Sequence, residues 1–232
     1  MRIEPELGAC SIVLLGHFNP LIFSPLWFAQ NKIVSETQAT DAEVTVVNPQ
    51  ITVCKIGKFQ IQVDFDRFAA DTAEAPWIDL SDFVTRTFGL LIHTPINQMG
   101  INRFVHFSVG NEETRNRIGN LLAPLEPWGE WGKEIAKGKV DGRRGGYTDL
   151  TMLQPKAPGP MSGHLQVQVQ PSTRIKADAG IFVHVNDHYT SGSLDQTIGC
   201  ERMIAVLAKS FEPSIRRSEE LIDQVMSLRE QI

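Results

Sequence analysis

The sequence predicts an α+β fold: an N-terminal β-α-β-β-α-β half of ferredoxin-like order, then a three-stranded antiparallel unit with two C-terminal helices. Three observations predict it. FQIQVDFD, residues 59–66, alternates strictly between apolar and polar, as a half-buried antiparallel strand does. In the first half, β-branched apolar runs are separated by segments of helical period. In the second half three such runs follow one another, and the chain then turns to helical spacing. The order of the first-half elements is that of the split βαβ arrangement.

The elements follow in order. CSIVLLGHF, 10–18, is a short apolar run and reads as the first strand. LGAC, 7–10, looks like the end of a lipoprotein signal, but MRIEPE supplies neither the positive nor the apolar segment such a signal needs, so Cys10 is read as a strand residue. PLIFSPLWFAQNKIVSE, 20–36, has helical spacing, with Pro25 in a first turn or at a break. VTVVNPQITVCKI, 44–56, is β-branched and interrupted by Pro49. Gly57-Lys58 joins it to FQIQVDFD as a two-residue turn. In DLSDFVTRTFGLL, 79–91, Ser81 can cap a helix whose stripe is Phe83, Val84, Phe88 and Leu91. HTPINQMG breaks that helix, and Gly100 to Val109 is the fourth strand. EETRNRIGNLL, 112–122, is a short polar-faced helix.

Residues 124–146 are rich in Gly, Trp and basic side chains and read as a connecting loop. The domain reading is therefore 1–123, an N-terminal α+β half, and 147–232, a three-stranded sheet plus helices. The three strands are YTDLTML, GHLQVQVQ and GIFVHVNDHY. Two helices close the chain, with Pro213 at their boundary.

Bulk properties exclude several classes. The chain has 232 residues, 42% apolar and 21% charged, an ordinary globular composition. Net charge is −5, so no global positive field draws nucleic acid or an anionic membrane. No apolar run approaches the roughly 18 residues that span a bilayer. Cys10, Cys54 and Cys200 are too few and too scattered for a disulfide framework, which suits a reducing cytoplasm.

Candidate site residues come from polar groups in apolar settings. In MGINRFVHFSV, 99–109, Arg103 shares its strand face with Ile101, Val105, Phe107 and Val109. A buried charge must find an acid or reach water. Arg103 is expected at the strand mouth, its stem covering the core edge, with Asp64 and Asp66 as nearby acids. His184 and His188 lie four apart around Asp187, about 13 Å apart on a strand, too far for joint metal ligation. There is no HExxH, GxSxG, Walker A or Rossmann motif, so no metal, cofactor or catalytic residue is assigned. An enzyme site would have to be assembled from Arg103, His106, His184 and Asp187.

Arg143 and Arg144 lie in a glycine-rich basic stretch, 137–146, that can grip phosphates, with Tyr147, Trp128 and Trp131 able to stack on bases. Gln60, Gln62, Gln166, Gln168 and Gln170 form uncharged rows suited to a sheet face that meets another protein. Leu221, Val225, Leu228 and Ile232 recur at heptad spacing. This seam is too short for an independent coiled coil, so it packs on this chain or on a second copy.

Three segments carry a resemblance: TPINQMGINRFVHF, GIFVHVNDHY and SFEPSIRRSEEL. They resemble a sporadically distributed family of uncharacterised bacterial proteins. There a glycine, an aliphatic residue and an arginine lead one strand, an acid ends another, and a phenylalanine precedes the final helix. Gly100, Ile101, Arg103, Asp187 and Phe211 match these positions. The resemblance implies a bacterial cytoplasmic protein of an accessory or defence-type locus, and no catalytic residues. The function expected is a non-enzymatic protein-binding or assembly module, with a protein partner and self-association. The alternatives are a nucleic-acid or nucleotide binder through 137–146, and an enzyme.

Overall fold

The computed structural model describes residues 4–137, 139–140, 143–159, 161–175, 179–192 and 199–231. The strands are β1 (Leu7–Gly16), β2 (Glu43–Val47), β3 (Thr52–Ile56), β4 (Phe59–Val63), β5 (Arg67–Thr72) and β6 (Ile96–Ser108). After them come β7 (Lys139–Val140), β8 (Arg143–Arg144), β9 (Leu150–Pro155), β10 (Ser162–Pro171) and β11 (Gly180–Thr190). The helices are α1 (Pro25–Gln30), α2 (Glu36–Thr40), α3 (Ile78–Gly89), α4 (Glu112–Leu122), α5 (Gly129–Lys137) and α6 (Glu201–Ser227). Among the described residues no helix is long and apolar enough to cross a membrane.

Nine strands form one sheet in the order β2-β3-β4-β5-β1-β6-β11-β10-β9. Every neighbouring pair is antiparallel. This overturns the ferredoxin-like half with a separate three-stranded unit. β11 pairs with β6 from Gly180↔Ser108 to Thr190↔Gln98, so the last three strands extend the first sheet instead of forming their own.

Three local causes explain the miscount. The run 44–56 is two strands: Asn48 Oδ1 accepts from the N–H of Gln50 and of Ile51 and closes a turn between β2 and β3. FQIQVDFD stops at Val63, because Asp64 Oδ1 accepts from Arg67 N at 2.9 Å and turns the chain. β5, RFAADT, then pairs with both β4 and β1. Its adjacent Ala69 and Ala70 are both buried, which erases the alternation that would announce it.

The helices differ too. Residues 20–36 hold a 3-10 turn and α1, and Ser35 caps α2 through a reciprocal box with Gln38. Ser81 is a buried residue inside α3 instead of its cap. The segment 129–137 is helical as α5, and β7 pairs with β8 in a small hairpin.

The two predicted C-terminal helices are one, α6, which runs through Pro213. Pro213 and Lys209, whose carbonyl it leaves without an intrahelical donor, are both exposed residues. The buried stripe Met203, Ile204, Leu207, Phe211, Ser214, Ser218, Ile222 and Met226 passes it without a break. A mid-helix proline costs about 3 kcal/mol. Burying each large apolar side chain returns about 1.5–3 kcal/mol, so Ile222 and Met226 suffice to carry the helix past it.

α3 packs beside β1 and β5, α6 beside β6 and β11, and the two helices pack on each other. Beneath them lie two apolar clusters. The first joins Cys10, Ile12 and Leu14 of β1, Ile61 and Val63 of β4, Met99 and Ile101 of β6, and phenylalanines 18, 23, 28, 68, 83 and 88. The second joins Val105 and Phe107 of β6 to Ile181, Val183 and Val185 of β11, Ile118 of α4, and Ile222 and Met226 of α6.

Arg103 sits on β6 between Ile101 of one cluster and Val105 of the other. It is 4% exposed, far from a strand mouth. Its Nε donates to Glu219 Oε1 of α6 at 2.6 Å. Its Nη1 donates to the carbonyls of Ala9 and Phe104 at 3.1 and 2.9 Å. The guanidinium also lies 4.6 Å from the Trp77 ring centroid, within cation–π range. Gly8 makes room for it: a Cβ there would stand 3.0 Å from Nη1. The expected partners Asp64 and Asp66 play no part.

Removing one member of a buried ion pair costs about 3 kcal/mol or more, whereas replacing both by apolar groups is often neutral. Arg103→Ala should therefore lower the unfolding free energy by about 3 kcal/mol in urea titration. Arg103→Met combined with Glu219→Leu should recover most of that loss. A single-variant loss below about 1 kcal/mol would contradict the burial described.

Candidate functional site

Strand alternation sends every second residue away from the helices. On β6 these are Gln98, Gly100, Asn102, Phe104 and His106; on β11 they are Phe182, His184, Asn186 and His188. β10 adds His164, Gln166, Gln168 and Gln170; β4 adds Gln60 and Gln62; β1 adds Val13 and Leu15. Neither apolar cluster contains any of these residues, and among the described residues no helix packs over them. Among the described residues the outer face thus has no helix over it, although Gly100, Asn102 and His106 within it are themselves buried, and the two glutamine rows share it.

Its centre is a ladder of rings and amides. Cross-strand partners Phe104 and His184 stack with centroids 4.4 Å apart, and His106 leans on Phe182 at 4.7 Å. Cross-strand partners His164 and His188 stack at 4.7 Å. His184 Nε2 bonds Asn102 Oδ1 at 3.0 Å. An amide oxygen only accepts, so the ring is held as the Nε2–H tautomer. Asn102 Nδ2 then donates to the Gly100 carbonyl. His106 Nδ1 shares a 2.8 Å hydrogen bond with Ser172 Oγ.

Three of these imidazoles, His106, His184 and His188, resist protonation. Burial pulls the His184 pKa down to about 4. Burial, then the Arg174 charge, lowers that of His106. Burial, then His164 and Lys156, lowers that of His188 against the opposing pull of Asp187.

Gly100 opens a pit in this face. Val13, Leu15, Gln98, Asn102, Asn186 and His188 frame a volume of about 200 Å³ around it. Asn186 Oδ1 is buried there without a hydrogen-bond partner. A Cβ at position 100 would stand 3.0 Å from that oxygen, so glycine is what leaves the pit open. An acceptor without a donor is the group such a pit offers a ligand.

The sheet separates the residues singled out from the sequence. His106 and His184 lie on the open face. Arg103 and Asp187 lie on the helix-covered face, which divides the enzyme site assembled from the four. Asp187 is 7% exposed. It accepts from Tyr189 Oη at 2.9 Å and pairs with Lys156, whose ammonium lies over the Tyr189 ring. Burial, then the Asp187 charge, pushes the Tyr189 pKa well above its usual range.

Leu221, Val225 and Leu228 pack against the second apolar cluster, while Ile232 lies outside the described residues. The backbone of Arg143 and Arg144 forms β8, and their side chains lie outside the described residues. Beside that hairpin, α4, α5 and residues 145–148 border a cavity of about 770 Å³ that carries acidic and basic side chains together. All three cysteines are free and buried, and burial pushes the Cys10 thiol up to about 12 and those of Cys54 and Cys200 to about 11, where a thiol is inert. Among the described residues no group of three or more His, Cys, Asp or Glu side chains could hold a metal ion.

Asn102, Phe104, Ser172, Phe182 and Asn186 were not among the sequence candidates. The signal for most of them is the alternation itself: NRFVHF and IFVHVND place asparagine, phenylalanine and histidine on one parity. No protein-family model and no curated protein matches the chain.

The His184 shift has a definite sign. Its folded pKa lies below the unfolded value of 6.5, so the folded state resists protonation. The stability is complete above pH 6.5 and is lost as pH falls from 6.5 towards 4. At 1.36 kcal/mol per unit the loss is about 3 kcal/mol. His184→Phe keeps the stack on Phe104 and removes the proton site. Its stability measured against pH should be flatter than that of the parent by this amount over the same window.

Proposed function

We propose that the chain is a non-enzymatic binding module whose uncovered sheet face meets a protein partner. The observation that carries this reading is the make-up of that face: stacked Phe104, Phe182, His106 and His184, flanked by glutamine and asparagine rows. Protein interfaces concentrate aromatic groups and exclude charge at their centre. The Gly100 pit, with its unused Asn186 oxygen, suits one side chain of the partner that brings an N–H or O–H donor.

Nucleic acid is the weaker occupant. The stacked rings would suit bases, but affinity for a phosphate backbone comes from cations, and the imidazoles at the centre are held neutral. The enzyme reading loses support because its four residues lie on opposite faces. The setting proposed, the cytoplasm of a bacterium with an accessory or defence-type system, rests on the resemblance of the three segments alone.

A photo-crosslinking amino acid at Gln166, on the open face, should give a protein adduct in the producing cell. The same group at exposed Asp82 of α3 should not. A nucleic-acid adduct at Gln166, or equal protein capture at both positions, would contradict the proposal.

A further inference from the structure

The sheet has two edges, and they are built differently. β2 is irregular: its pairing with β3 shifts between Val44 and Val46, and Glu43 forms an ion pair with Lys55. Bulges and charges are the usual guards against edge-to-edge pairing. β9 has neither. Its six residues, LTMLQP, carry no charge, and its register with β10 is unbroken. Met152 is 64% and Leu153 is 56% exposed. Among the described residues no strand pairs with its outer side.

The hydrogen-bonding parity of β9 follows from its neighbour. Lys156 N–H donates to the Gly163 carbonyl at 3.0 Å. By alternation Gln154, Met152 and Leu150 also turn their backbone groups to β10. Thr151, Leu153 and Pro155 therefore direct theirs outward. Pro155 has no N–H to offer, so pairing from outside ends there.

We infer that the outer edge of β9 pairs antiparallel with β9 of a second copy, about a two-fold axis that passes through Met152. A two-fold between antiparallel neighbours in one sheet is normal to that sheet, so directly opposed residues share a face. The axis must then coincide with a residue. With Met152 on it, Thr151 stands opposite the second copy's Leu153, and both are outward-directed. Each such pair exchanges two N–H···O bonds, and the symmetry supplies the pair twice. With Leu153 on the axis instead, Thr151 would face Pro155, which has no donor. The strand opposes no charge to itself, and the exposed Met152 and Leu153 are covered.

A second copy is the occupant that this self-complementarity fits, as an isologous interface requires. The inference stands apart from the proposed function, because it uses the sheet edge and not its open face. It has one consequence for that face. The two-fold is normal to the sheet, so both open faces look the same way and the assembly is bivalent.

The test uses the full chain. Sedimentation should show a concentration-dependent dimer. Met152→Lys sets like charges against each other at the axis and should weaken dimerisation by about tenfold or more. The melting temperature of the isolated chain should not change. Met152→Cys should form a disulfide-linked dimer on mild oxidation, because residues on the axis stand about 4.5 Å apart in a non-hydrogen-bonded pair. Leu153→Cys should not, since its opposite residue is Thr151. The native cysteines are buried and do not compete. A chain that stays monomeric at its highest soluble concentration overturns the inference. So does a dimer that tolerates Met152→Lys, or cross-linking equally efficient at 152 and 153.

Discussion

The pair of buried Arg103 and part-buried Glu219 is the constraint on which the arrangement of the other elements depends. A guanidinium in the layer between sheet and helix loses most of its hydration. It stays only because four groups from different parts of the chain meet it there. Glu219 comes from α6, the Ala9 carbonyl from β1, the Phe104 carbonyl from β6, and the Trp77 ring from the start of α3. Few combinations of strand register and helix position satisfy all four at once. The pair therefore fixes where α6 crosses the sheet, and it marks the division between the two apolar clusters. Pro213 lies six residues before Glu219, so the helix has to pass that proline to deliver the carboxylate.

The helices are thereby committed to one side of the sheet, and parity does the rest. Along β6, Ile101, Arg103, Val105 and Phe107 turn towards the helices, while Gly100, Asn102, Phe104 and His106 turn to the face that carries no helix among the described residues. β11 repeats the division, with Val183, Val185 and Asp187 on one side and Phe182, His184 and Asn186 on the other. The open face is not merely what remains after the core is filled. Its rings stack in cross-strand pairs and the Asn102 amide is hydrogen-bonded to His184, so these side chains are held in place before any partner arrives. Preorganisation of this kind lowers the entropic cost of binding.

Part of this was legible in the sequence. FQIQV and HLQVQVQ show their period-2 pattern directly, and their glutamines lie on the face that pattern assigns. The charge of Arg103 in an apolar row marked it as a residue with a partner to find. Other parts were hidden for physical reasons. The partner, Glu219, is 116 residues away, and nothing local selects it over other acids. β5 does not announce itself, because its adjacent alanines bury on both faces and leave no alternation. Pro49 reads as an interruption within one strand, whereas the Asn48 side chain beside it accepts from the amides of Gln50 and Ile51 and makes a turn. Pro213 reads as a helix boundary because the local cost of a proline is visible in sequence while the burial that outweighs it is not. The union of the two halves into one sheet depends on the pairing of β6 with β11, which neither strand announces alone. Arg103 and His106 differ in parity, which already puts them on opposite faces of one strand.

The central claim is that one face of the sheet lies under α3 and α6, while the other has no helix over it among the described residues. Fluorine NMR of the chain carrying fluorophenylalanine, titrated with a soluble paramagnetic probe, tests it most directly. The account predicts that Phe104 and Phe182 are broadened early, together with exposed Phe65, while Phe68, Phe107 and Phe211 are spared. Protection of Phe104 and Phe182 equal to that of Phe107 would contradict it, because the face proposed to bind would then be covered.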